Sequence, residues 1–76
     1  MPHYYFNLCC EDYETTDLVG EMCPGVEAAR REALRTAREI IRDDLLLGRT
    51  LHRGWIEVED EEHRAVLRLP LSAAAS

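Results

Sequence analysis

The sequence predicts an α+β domain of order ββαββ: a four-stranded, mainly antiparallel sheet with one long helix packed on one face. Three observations carry this. The segment Val26–Leu47 has apolar residues at helical spacing. Strand-like residues alternate before it and again after it. The helix stripe is mostly alanine, which lets a helix lie close to a sheet.

The elements follow in order. His3–Cys9 alternates, with Tyr4, Phe6 and Leu8 on one face and His3, Tyr5, Asn7 and Cys9 on the other. Glu11–Glu14 reads as an acidic turn, Thr15–Leu18 as a short second strand, and the next turn ends at Gly20. Met22–Gly25 leads into the helix, with Gly25 as its N-cap.

Stepping about 100° per residue puts Val26, Ala29, Ala33, Ala37, Ile40 and Leu47 on one helix face. Gly48 ends the helix. Its length of roughly 33 Å exceeds the ~20 Å of a six-residue strand, so it should overhang the sheet. Leu34, Ile41 and Leu45 form a second apolar row on its flank, and Leu46 points away from the stripe. Asp44 falls within the stripe near the helix C-terminus, where the macrodipole disfavours a carboxylate. The expectation is that it sits in water beyond the sheet edge; the alternative is a bond to an amide of the Arg49–Gly54 loop.

Trp55–Glu59 and Arg64–Leu69 read as a hairpin around Asp60–His63. Pairing Glu59 with Arg64 sets Ile56 opposite Leu67 and Val58 opposite Ala65, facing the helix. The same register sets Trp55 beside Arg68 and Glu57 beside Val66 on the other face. The domain is expected to span residues 1–71, with 72–76 a frayed tail.

The formal net charge of −6 argues against a nucleic-acid backbone as partner. No apolar run is long enough to span a membrane, and MPHYYFNLCC has no charged n-region or long apolar core, so a cytoplasmic protein is expected. All nine basic residues are arginine and alanine is abundant, which points to a GC-rich, bacterial genome. Cys9, Cys10 and Cys23 are odd in number and fit reduced thiols.

No residue set carries catalytic chemistry, so no enzyme activity and no cofactor are expected. His3, Cys9, Cys10, Cys23, His52 and His63 are metal ligands by type, but their spacing matches no zinc motif. Cys23, just before the helix N-terminus, is the most reactive thiol candidate; a small buried hydrophobe is its simpler reading. The carboxylates Glu11/Asp12/Glu14, Asp43/Asp44 and Asp60/Glu61/Glu62 fall mostly in turns, where solvation is the ordinary role. The helix arginines Arg30, Arg31, Arg35, Arg38 and Arg42 interleave with Glu27, Glu32, Glu39 and Asp43, a self-neutralised face.

Two surfaces remain as candidates. A single helix covers a single sheet face, so Tyr5, Trp55, Val66 and Arg68 lie on the open one. The second is the leucine-rich flank: Leu34, Ile41, Leu45 and Leu46. A domain this small has little core, which favours homodimerisation or an unknown protein partner.

The residues also carry a resemblance. MPHYYFNL, the Asp17–Gly20 turn, Glu27–Ala33, Asp43-Asp44 before Gly48, and Ile56–Glu61 stand in the order and spacing of a family of short uncharacterised bacterial domains. Departures are His3, Asn7, Gly25 and His63, which stand where that family has Arg, Asp, Asp and Gly. The last implies positive φ at His63. The resemblance implies no activity. A weaker likeness, through Pro24-Gly25 and Glu27-Ala28, is to Hic-type antitoxins, and would imply a regulator whose acidic surface blocks a basic partner.

Overall fold

The computed structural model describes residues 1–11, 14–48 and 53–74. The chain runs β1 (His3–Cys9), β2 (Glu14–Thr15), β3 (Glu21–Met22), α1 (Val26–Leu46), β4 (Trp55–Glu59) and β5 (Ala65–Pro70), then a 3₁₀ turn at Leu71–Ala74. Asp12, the loop residues 49–52 with His52, and the last two tail residues lie outside the described residues.

The fold is α+β as expected, with every strand pair antiparallel. β1 is central. β4 lies on one side of it and β5 beyond β4, while β2 and β3 share the other side. Among the described residues the sheet therefore has five strands rather than four, because the second strand is divided. Instead of continuing to Leu18, β2 stops at Thr15 and the chain turns before β3.

The cause of the division is Asp17. Its Oδ2 accepts the Phe6 amide at 3.1 Å, so a side chain occupies the place of a strand carbonyl. Its Oδ1 accepts the amides of Val19 at 3.1 Å and Gly20 at 2.9 Å, which closes the turn. The Asp17 amide donates to Asn7 Oδ1 at 2.9 Å. Gly20 sits at φ 71°, and a Cβ there would lie 2.6 Å from the Tyr4 carbonyl oxygen.

The C-terminal hairpin departs from the expected register by two residues: Ile56 pairs Leu69, Val58 pairs Leu67, Glu57 pairs Arg68 and Trp55 pairs Pro70. An even shift keeps each strand's inward and outward faces. The turn explains it. The Asp60 amide donates to the Arg64 carbonyl and the His63 amide to the Asp60 carbonyl, each at 2.9 Å. His63 adopts φ 61°, the left-handed conformation implied by its place in the motif. Beyond this three-residue loop β5 bulges at Val66, which is left unpaired between Val58–Leu67 and Glu59–Ala65. Val66 is thus not beside Glu57, and Ala65 is exposed rather than facing the helix.

The helix buries Ala29, Ala33, Ala37, Ile41 and Asp44. The stripe therefore winds relative to the expected one: Val26 and Leu47 are exposed, Ile40 is half-buried, and Ile41 belongs to the core. Steps of four residues advance about 40° around the axis, so a contact line drawn through them turns gradually as it rises. Asp44 is 6 % exposed, which overturns its expected place in water. The helix packs against β4, β5 and the 3₁₀ turn. Tyr4, Cys23, Ile56, Val58, Leu69 and Leu71 complete the core. The Leu71 amide donates to the Gly54 carbonyl at 2.9 Å and Ala74 packs on the core, so regular structure continues past Ser72, where fraying was expected.

Candidate functional site

At the far end of α1, Leu45, Leu46 and Leu47 are 62 %, 81 % and 66 % exposed. Helical spacing sends three consecutive side chains in three directions. The one core below takes none of them, because Ile41 and Asp44 already occupy the buried line. Of the predicted flank, Ile41 is lost to the core and Leu34 packs against it half-buried. Leu45 and Leu46 remain a surface, and Leu47 joins them.

The open sheet face is less bare than expected. The Arg68 guanidinium carbon lies 4.8 Å from the Trp55 ring centroid, and the same side chain bonds Glu57 at 3.3 Å. Tyr5 stacks on His63, centroids 4.8 Å apart, and contacts His3 at 5.0 Å. His3 Nε2 donates to the Val19 carbonyl at 2.7 Å, and His63 Nδ1 lies 3.4 Å from Glu59 Oε1. The aromatic residues are thus covered by their own polar neighbours. One loose end is the Trp55 indole N–H, buried with no hydrogen-bond partner among the described residues.

Cys23 takes the place of a small core residue, the simpler of its two readings. It is buried, and burial pushes its pKa up, with Glu21 and Glu32 adding to the effect. Cys9 is pushed up likewise by burial, then by Glu14 and Glu57. Among the described residues, no three His, Cys, Asp or Glu side chains converge as metal ligands, and no helix is long and apolar enough to cross a membrane.

A feature that sequence reasoning missed lies on the helix side of the sheet. Because α1 packs over β4 and β5, it leaves Phe6 and Leu8 of β1 only half-buried. They line a groove of about 580 Å³ with Thr15, Leu18, Thr36 and Ile40. A smaller hollow of about 390 Å³ continues it past Met22, Cys23 and Pro24. Glu21 and Glu32 line both. Their carboxyls lie close together, and Arg35 Nη2 donates to Glu32 Oε2 at 2.6 Å. Desolvation, then the bond and charge of Glu32, raise the Glu21 pKa; the Arg35 bond holds Glu32 below its ordinary value. A signal for the groove was present: a stripe of alanines is too narrow to cover the sheet's whole apolar face.

These features define a small α+β domain whose helix lies off-centre on an antiparallel sheet, with its distinctive features on the surface. The chain belongs to the family described as domain of unknown function DUF6894, whose model matches residues 3–72. No curated protein and no solved structure matches it.

Proposed function

We propose that the domain is a non-enzymatic, cytoplasmic protein-interaction module that associates with a second copy of itself through the C-terminal end of α1. The observation that supports this is the exposure of Leu45, Leu46 and Leu47 in the last turn. Each leucine fully buried contributes on the order of 1.5–3 kcal/mol. A two-fold contact would bury the same leucines from both copies. The open face is the weaker surface, since Arg68 lies over Trp55 and His63 stacks on Tyr5.

Light scattering over a hundredfold concentration range tests the reading. A dimer that Leu46→Glu dissociates and Trp55→Ala does not is the expected result. A monomer throughout overturns self-association, and a dimer split by Trp55→Ala alone moves the contact to the open face.

A further inference from the structure

We propose that the trough between α1 and the divided sheet edge binds an extended segment of a partner protein, which lays an apolar side chain on Phe6 and Leu8 and sets an arginine or lysine against Glu21 and Glu32. This surface is separate from the leucine end of α1 and does not depend on self-association there.

The floor and walls set the apolar half. Phe6, Leu8 and Ile40 are half-buried, and Leu18 on the rim is 86 % exposed. None of them is sealed by another part of the described chain, so an apolar side chain seated there would remove both itself and these residues from water. The space falls in the range of about 300–1,000 Å³ that built pockets occupy. The two hollows meet at Glu21 and Glu32, giving an elongated channel rather than a round cavity. An extended chain fits that form.

Charge sets the other half. Among the described residues, Asp17, Glu21, Glu32 and Arg35 are the charged ones that line the larger hollow, a formal charge of −2. Asp17 is committed to the Phe6, Val19 and Gly20 amides, and Arg35 to Glu32. Arg31 lines only the smaller hollow. Among the described residues Glu21 makes no ion pair, and its close neighbour is a second carboxyl. A cation entering there meets two acids, of which Arg35 already holds Glu32. An acidic segment would meet like charge at the same point.

The test uses the whole chain, ¹⁵N-labelled, titrated with two probe peptides: acetyl-Leu-Arg-Leu-amide and acetyl-Leu-Glu-Leu-amide. The arginine peptide is expected to shift the amides of Phe6, Leu8, Thr16, Gly20 and Glu21 saturably, and the glutamate peptide to bind more weakly. Glu21→Gln should weaken the arginine peptide by about threefold, the effect of one exposed ion pair. Thr36→Trp, which fills the groove, should abolish the shifts while the spectrum elsewhere is unchanged. Should Glu21→Gln not fold, Glu32→Gln takes its place. Equal response to both peptides, no response, or shifts confined to Leu45–Leu47 overturns the proposal.

Discussion

Asp17 Oδ2 accepts the Phe6 amide proton at 3.1 Å, so one carboxylate bridges a central strand and the turn that interrupts its edge partner. The same group holds Val19 and Gly20, and so organises the whole edge between β2 and β3. Asp17→Ala leaves these amides without their acceptor and should cost about 1–3 kcal/mol, read by urea denaturation. Asn7→Ala, which removes the acceptor of the Asp17 amide, should cost less, because it releases a single bond.

The same carboxylate gives stability a pH dependence of fixed sign. Partial burial opposes ionisation of Asp17, but the amides of Gly20, Phe6 and Val19 outweigh it and lower the pKa from 3.8. A carboxyl with a lower pKa folded than unfolded adds stability that is complete above the unfolded value. That stability is lost as pH falls through the folded value. Wild type minus Asp17→Asn, melted between pH 7 and pH 2, should show a difference that shrinks only below about pH 4. A difference that is flat across this range would mean that the bonds to Asp17 do not depend on its charge.

Two glycines with nearly the same φ should respond differently to alanine. Gly20 at 71° faces the Tyr4 carbonyl and the His3 ring at under 3 Å from a built Cβ. Gly48 at 73° faces open space. Gly48→Ala should cost about 1 kcal/mol, the strain of positive φ alone. Gly20→Ala carries the same strain plus a clash with backbone, and should cost at least about 2 kcal/mol. Thermal melts of the two variants side by side decide the point.

His63 also sits at positive φ, and glycine would relieve about 1 kcal/mol there. Against this stands the loss of its stack on Tyr5, worth roughly 0.5 kcal/mol or more. His63→Gly should therefore be neutral to slightly stabilising, while His63→Val, a β-branched residue at φ 61°, should be clearly destabilising. A His63→Gly melt well below wild type would show that the stacked rings contribute more than the backbone strain costs.

Much of the architecture was legible because it rests on period and alternation. The limits of β1 and the start of α1 follow from these patterns alone, and α1 ends one residue short of the expectation. What was not legible depends on single side chains acting on backbone. Nothing in the alternation of Thr15–Leu18 shows that Asp17 will take the Phe6 amide and stop a strand. The hairpin register turned on whether His63 would accept a left-handed turn, which the motif implied and the strand pattern could not. Ile40 drew the expected stripe to itself, but the helix buries Ile41 and leaves Ile40 beside the groove. That same off-centre placement is why the groove went unread.

The central position of β1 has a bearing on how the chain folds as it is made. Its neighbours on one edge, β2 and β3, follow it directly in the chain, with Asp17 between them. Its other neighbour, β4, pairs Cys9 with Trp55 and Tyr5 with Glu59. At about 5–20 residues per second, roughly 3–10 s of synthesis separate the two strands. During that interval β1 has one edge closed locally and one edge open. The nascent chain is therefore vulnerable on one side only, and the emergence of β4 is the event that removes the exposure.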